Sequence, residues 1–325
     1  MIPCAVVLLA AGLLAYAWLG YPVLLAVAAK SRPRRTAGGA TGASERTVCI
    51  LFSAHNEEGH IAERLGNLLG QEYPSERVTI RVGIDGSSDR TASIAREFAR
   101  KHPNIRVHEV SERRGKIAML KDLVARSTED VLVFTDANTE FEPRAVATLV
   151  SHFADPGLGG VCGRLVFAPS INGNAAGAGT SIHGSPDASS SERSYWLWET
   201  GLKEMESRAN SCLGANGAIY AIRRELFWKD IPDNTIIDDF VIGMKVREQG
   251  MLMVYEPDAV AHEALPAKIE HEWRRRVRIG AGDYQALAFC RRCLLPRYGR
   301  FSWMFWSHKV LRWFTPHLTL LMVAG

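Results

Sequence analysis

From Ile2 to Ala29 the chain carries no charged side chain. As a helix such a run is about 42 Å long, against ~30 Å for the hydrocarbon core of a bilayer. Lys30, Arg32, Arg34 and Arg35 follow at once. A cleaved secretory leader puts its positive charge before the apolar stretch and keeps that stretch shorter. The order here is reversed, so residues 1–30 read as an uncleaved anchor. The basic cluster after it places the N-terminus outside and the bulk of the chain in the cytosol, at the inner (plasma) membrane. A buried core helix would carry a polar stripe, and this run has none.

The other end is also lipophilic. Phe301, Trp303, Phe305, Trp306, Trp313 and Phe314 mix with Lys309 and Arg312, a blend suited to the headgroup layer. Residues 296–325 are therefore expected to hold an interfacial helix and the start of a C-terminal membrane segment, with the chain stopping inside that span. A short hydrophobic helix closing the domain is the bland alternative.

Between these ends, residues 31–46 are rich in Gly, Ala, Ser and Thr and read as a linker. Residues 47–295 then form one large domain. Strand-like and helix-like stretches alternate: Val48 to Ser53, Glu57 to Gln71, Val78 to Ile84, Arg90 to Lys101, Ile105 to Val110, Lys116 to Arg126, Val131 to Thr135. Such alternation predicts an α/β fold, a mostly parallel sheet with helices on both faces. Ligands of such sheets bind outside the carboxyl ends of the strands. Polar residues cluster there, at Ala54 to Glu57, Asp85 to Asp89 and Asp136 to Asn138. Pro169 to Ser191 is Gly/Ala/Ser/Asn-rich and reads as a mobile loop able to close over a ligand.

Composition removes several function classes. The net charge is +4, and no basic block has the aromatic interleaving of a nucleic-acid groove. The six cysteines are scattered except Cys290 and Cys293, and no second close Cys or His pair completes a zinc site. No phosphate-binding Gly-rich loop, HExxH pair or Gly-x-Ser-x-Gly elbow occurs. No G-x-G-x-x-G follows the first strand, which argues against a dinucleotide-binding dehydrogenase.

Phosphate chemistry would then rest on a cation held by carboxylates. Asp136 and Asn138 end one strand, and their oxygens suit a hard divalent ion; equally, they suit a turn. Asp85 ends another strand, with Asp89 placed to cap the next helix. Asp238 and Asp239 open a helical stretch, where the helix dipole alone is reason enough for them. One of the two can also serve as a general base on a sugar hydroxyl. Arg274, Arg275, Arg276 and Arg278 form either a solvated or headgroup-facing surface, or a clamp for a diphosphate.

In order along the chain, His55-Asn56-Glu57-Glu58, Asp85-Gly86-Ser87-Ser88-Asp89-Arg90-Thr91, Gly115-Lys116, Asp136-Ala137-Asn138, Gly214-Ala215-Asn216-Gly217-Ala218, Asp238-Asp239-Phe240 and the Arg-rich helix resemble a family 2 glycosyltransferase with the GT-A fold, over about Val48 to Leu287. Membrane-bound members of this group include the cellulose, hyaluronan and poly-N-acetylglucosamine synthases. The resemblance implies a nucleotide-diphospho-sugar transferase dependent on Mg or Mn. It would use a UDP-sugar, a glycan or lipid-linked acceptor, and partner subunits of a synthesis or export complex. Ala54, Asn56, Glu57, Asp85, Lys116, Asp136 and Arg278 would bind the nucleotide sugar. Gly214, Asn216 and Arg275 would bind the acceptor, Asp136 and Asn138 the metal. Asp239 would be the catalytic base, with Asp238 beside it. Two departures stand out. Asn138 replaces the second acid of an Asp-x-Asp motif. Ile279 replaces the Trp of the Gln-x-x-Arg-Trp motif, and Ile cannot stack on a sugar ring. Both point away from a processive synthase towards single transfer; the mechanism the resemblance implies is direct displacement, with inversion. The competing reading is a catalytically weak or silent membrane subunit, whose mark would be loss of the base; Asp239 is present.

Overall fold

The computed structural model describes residues 4–30, 32–33, 46–167, 186–263 and 269–324. The expected linker lies almost entirely outside these residues. Eight strands form one sheet: β1 (Val48–Ala54), β2 (Val78–Asp85), β3 (Ile105–Val110), β4 (Val131–Thr135), β5 (Thr139–Phe141), β6 (Leu158–Phe167), β7 (Ile219–Arg223) and β8 (Leu252–Glu263). Their spatial order is β3-β2-β1-β4-β7-β6-β8-β5. The first half is parallel, as the alternation predicts, because each strand returns through a helix. Beyond β4 the sheet is mixed. β7 runs antiparallel to both β4 and β6, β6 and β8 are parallel, and β5 is antiparallel to β8.

The antiparallel entry of β7 matters for the site. Thr135, the last residue of β4, pairs with Ile219, the first of β7. The residue leaving β4 therefore lies beside the residues entering β7, which brings Asp136 next to Gly217 and Ala218. A buried guanidinium fixes this junction. Arg64 donates from Nη2 to Thr135 Oγ1 (2.6 Å), and Thr135 Oγ1 donates to the Ala218 carbonyl (2.8 Å). Arg64 also bonds Asn67 and lies over the Phe141 ring, 4.3 Å from its centroid.

The helices, in chain order, are α1 (Cys4–Ala15), α2 (Tyr21–Lys30), α3 (Ile61–Leu69), α4 (Thr91–Lys101), α5 (Lys116–Ala125), α6 (Ala145–Ser151), α7 (Pro186–Ala209), α8 (Asp238–Glu248), α9 (Ile269–Phe289), α10 (Arg300–Met304), α11 (Leu311–Trp313) and α12 (Thr315–Val323). Two apolar cores lie on the two faces of the sheet. The loop expected over Pro169 to Ser191 is cut short, because α7 begins at Pro186, where proline's fixed φ suits a first helical position. Residues 169–185 lie outside the described residues.

α1 and α2 are joined through a π turn at Tyr16–Gly20 into one helix, Cys4–Lys30, long and apolar enough to cross a membrane. One side of it packs on protein. Tyr21 donates to Glu206 (2.7 Å) on α7, Trp303 Nε1 donates to the Tyr16 hydroxyl (2.8 Å), and Trp18 stacks on Trp198 with centroids 5.7 Å apart. Leu8, Leu9, Leu19, Val23 and Val27 are exposed on the other side. The aromatic segment near the C-terminus differs from a simple headgroup-facing helix. Phe301 and Phe305 are fully buried in the core. Lys309 and Arg312 turn inward to Glu199 (3.2 and 2.6 Å), because a half-buried carboxylate outcompetes solvent for them.

Gly214 shows why the loop before β7 needs glycine. Its φ is +71°, and a Cβ would stand 2.4 Å from Phe240 Cδ2 on α8. Left-handed strain and overpacking together are worth about 3 kcal/mol. Gly214→Ala is expected to destabilise the fold by that amount in denaturant titration, whatever its effect on ligand affinity.

Candidate active site

Between the carboxyl end of β4 and the starts of α5 and α8 lies a cavity of about 790 Å³. Of the residues singled out in sequence, Lys116, Asp136, Asn216, Asp238, Asp239, Arg275 and Arg278 line it. Lys116, the first residue of α5, donates from Nζ to Asp136 Oδ1 (2.9 Å) and sits 3.6 Å from Asp238 Oδ2. Burial alone would lower the Lys116 ammonium. The carboxylates of Asp136, Asp238 and Asp239 outweigh that and hold it above the ordinary lysine value. Asp238 is buried, and burial pushes its carboxyl up to about 6, with Lys116 opposing and the Asp239 and Asp136 charges reinforcing.

Asp239 and Asp136 face one another. A Cβ built at Gly217 would lie 3.4 Å from Asp239 Oδ2 and 3.5 Å from Asp136 Oδ2. The hydrogen of glycine leaves that space open between two carboxylates. Asp239 Oδ1 is engaged by the Phe240 amide (2.8 Å) in the first turn of α8, so one oxygen holds the backbone while the other faces the cavity. Asn216 is used structurally as well. Its amide donates to the Gly163 carbonyl (3.2 Å), and its carbonyl receives the Ala218 N–H (3.0 Å).

Ala54, Asn56, Glu57 and Asp85 do not line this cavity; they build the paired loops after β1 and β2. Asp85 is 2% exposed, and its two oxygens accept the Arg114 and Gly115 amides (2.7 and 2.8 Å). It thus fixes the approach to α5, and with it Lys116. His55 Nδ1 donates to the Asp85 carbonyl (2.7 Å). Asn56 adopts φ 55°, tolerable for asparagine, and its side-chain oxygen receives the Ser88 amide (2.9 Å). The Glu57 amide donates to Thr91 Oγ1 (2.8 Å), and burial pushes the Glu57 carboxyl up. Asp89 stands one residue before the N-cap position of α4, which is Arg90, and accepts the Thr91 amide (3.0 Å), so it braces the entry to the helix from outside the capping position its spacing suggests. Gly214 lies behind the cavity wall, packed against Phe240 of the lining. Asn138 is exposed and donates to Glu263 (3.2 Å), a residue of the wall.

Among the described residues, no three His, Cys, Asp or Glu side chains converge on a metal position. Asp136 with the gap at Gly217 still fits a divalent ion. Mg²⁺-type sites use one or two carboxylates and take their other ligands from phosphate oxygens and water. Sequence reasoning missed Arg113, Trp196, Glu199, Lys203, Tyr255, Glu263 and Lys309, which also line the cavity. Trp196, Glu199 and Lys203 recur at helical spacing, a legible signal once α7 is known to be a helix.

A profile of glycosyl transferase family 2 matches residues 49–230. The chain is 24% identical over 251 residues to poly-beta-1,6-N-acetyl-D-glucosamine synthase of Staphylococcus epidermidis, covering 74% of this chain and 55% of that protein. It is 28% identical over 249 residues to YdaM of Bacillus subtilis (strain 168), covering 74% and 56%. The chain thus spans about half the length of the curated relatives it matches. Among solved structures, the mannosyltransferase PcManGT from Pyrobaculum calidifontis, in complex with GDP-Man and Mn²⁺, superposes with a TM-score of 0.74 at 25% identity, over 98% of this chain and 86% of that one. GalNAc-T7, with UDP, GalNAc and Mn²⁺, shares the fold alone, with a TM-score of 0.51 at 15% identity over 68% and 44%. The chain belongs to glycosyl transferase family 2 and has its GT-A-like α/β fold.

Proposed function

We propose that this protein is a membrane-anchored, inverting glycosyltransferase that moves a sugar from a nucleotide sugar, a UDP-sugar in the first instance, to a glycan or lipid-linked acceptor. The observation that carries the reading is the pairing of Asp136 and Asp239 across Gly217, in a cavity with Lys116 on one wall and Arg275 and Arg278 on another. An acid beside a cationic diphosphate site and a second acid facing it supply the two requirements of single displacement.

In this reading the donor diphosphate lies between Lys116 and Arg278, whose charges offset the charge that develops as the anomeric C–O bond breaks. Asp239 Oδ2 takes the proton of the acceptor hydroxyl. The freed oxygen attacks the anomeric carbon, and the bonding pair to the diphosphate departs with it. One displacement on one carbon inverts it, so an α-linked donor yields a β-linked product. Asp136, with the diphosphate oxygens, would hold a Mg²⁺ or Mn²⁺ ion, which supplies Lewis-acid charge when bound. Asp85 and Asn56 act through the loops that position Lys116 and the strand ends. The apolar helix Cys4–Lys30, followed by basic residues, supports attachment to the inner membrane with the domain in the cytosol. Retention of Asp239 in the cavity disfavours the reading as a silent subunit.

The reading is tested by following UDP or GDP release from a panel of UDP-sugars and GDP-mannose with the full chain in detergent. No release from any donor would refute it. Asp239→Asn is expected to lower kcat by at least about 100-fold with nucleotide affinity kept within a few-fold; full activity would remove Asp239 from the base role. Asp136→Ala is expected to abolish Mn²⁺-dependent UDP binding in calorimetry. Gly217→Ala puts a methyl group at ordinary contact distance from both acids, so stability should change by less than about 0.5 kcal/mol. The same substitution should weaken Mn²⁺-dependent UDP binding about tenfold.

A further inference from the structure

Outside the catalytic cavity lies a second hollow of about 620 Å³, between α9 and the segment that leads from α10 into α12. Tyr284, Leu287 and Ala288 recur at i, i+3 and i+4 on α9 and form one side. Trp306, Phe314 and Leu318 form the other. Tyr284, Trp306 and Phe314 are exposed, yet their polar atoms are already engaged. The Tyr284 hydroxyl donates to the Trp313 carbonyl (2.9 Å), and Trp306 Nε1 donates to the Leu294 carbonyl (3.3 Å). The groove therefore offers a ligand hydrocarbon and ring surface, with one exception. Arg291 lines it and is exposed, and among the described residues its guanidinium has no hydrogen bond or ion pair.

Charge around this groove is of one sign. From Tyr284 to Gly325 the sequence has no Asp or Glu, and Arg291, Arg292, Arg297 and Arg300 are exposed within ten residues. Arg292 stands 3.5 Å from Glu248, and Arg297 donates to the Tyr298 hydroxyl (3.1 Å). A basic cluster of this size next to an apolar helix attracts anionic lipid headgroups. The other end of the groove leads to the apolar surface. Trp303, Ser307, His308 and Arg312 meet the N-terminal helix within Tyr16–Tyr21. Ten residues of one segment meet six of the other, so the segment crosses that helix. α12 then runs beside α1, with Leu320, Leu321 and Val323 exposed. Leu318 belongs both to the groove and to α12, which makes the groove continuous with the lipophilic face of the helix Cys4–Lys30.

We propose that this groove seats one acidic glycerophospholipid of the surrounding bilayer, with its phosphate against Arg291 and an acyl chain along Leu287, Phe314 and Leu318. The proposal rests on the reading of Cys4–Lys30 as a membrane helix. The lipid is neither donor nor acceptor, because the groove and the catalytic cavity have no lining residue in common. An uncharged lipid would leave the guanidinium without a partner. A sugar or nucleotide would leave its own polar groups unpaired against hydrocarbon. A free phosphate would gain nothing from the apolar walls. An amphiphile with one anionic group and a long apolar chain satisfies both parts of the groove.

The test uses the full chain in a neutral detergent, titrated with phosphatidylglycerol or phosphatidylcholine, with bound lipid counted per chain by native mass spectrometry. One phosphatidylglycerol per chain is expected, held about fivefold more tightly than phosphatidylcholine. Arg291→Gln should remove that preference and leave phosphatidylcholine binding unchanged. Ala288 is exposed, so Ala288→Trp fills the groove without entering the core; it should weaken binding of both lipids at least about tenfold. Val277→Trp, exposed on α9 outside the groove, should leave both unchanged. Equal binding of the two lipids by the wild type would overturn the site, as would full binding by Ala288→Trp. So would displacement of phosphatidylglycerol by inorganic phosphate at equal concentration, which marks a plain anion site. Displacement by a polyprenyl phosphate at equal concentration would overturn it too, by making the groove an acceptor seat. Recovery of the chain from cells in soluble form without detergent would instead bring down the membrane reading beneath the proposal.

Discussion

One ammonium, that of Lys116, holds the site together. Asp136, Asp238 and Asp239 would repel one another if left alone in a crevice of low polarity. Lys116 sits at 2.9 Å from the first and 3.6 Å from the second and offsets part of that repulsion. Its own position depends on Asp85, which ties down the two amides just before α5. A carboxylate remote from the cavity wall thus sets the cation inside it.

The geometry of the acids comes from topology more than from local sequence. Asp136 is delivered by a parallel strand and Gly217 by the approach to an antiparallel one, and they meet because Thr135 and Ile219 are in register. Arg64, 2% exposed, spans this junction through Thr135. Burial brings its affinity for the proton down to about 9, with Asp136 and Glu140 opposing that shift. An arginine so placed is costly unless its donors are used, so its retention in the core is explained by the strand ends it joins.

The parallel half of the fold is legible in sequence because its signals are local. Val131 to Thr135 and Ile105 to Val110 are apolar or alternating runs with sharp polar ends, and their observed limits coincide with that reading. Asp136, Lys116 and the Asp238–Asp239 pair stand out for a similar reason, each lying directly after a strand or at a helix start. The far wall of the cavity is not legible in this way. Trp196 and Lys203 lie just past a Gly/Ser-rich stretch that conceals the start of α7. Glu199 meets Lys309 and Arg312 across more than a hundred residues. Sequence proximity carries no trace of such pairings. The aromatic residues near the C-terminus divide in a way composition does not show: Phe301 and Phe305 are packed inside, whereas Trp306 and Phe314 are exposed.

The seam between the N-terminal helix and the domain has a consequence for where ligands can come from. Arg312 lies between the rings of Trp18 and Trp198, 4.8 and 4.2 Å from their centroids, while bonding Glu199 on the cavity wall. The apolar helix is therefore no tether with slack in it. Its Trp18 and Tyr21 are built into the same scaffold as the cavity, at a fixed height along the helix axis. If that helix stands in a bilayer, the reaction is confined to a thin layer at a set distance from the lipid surface.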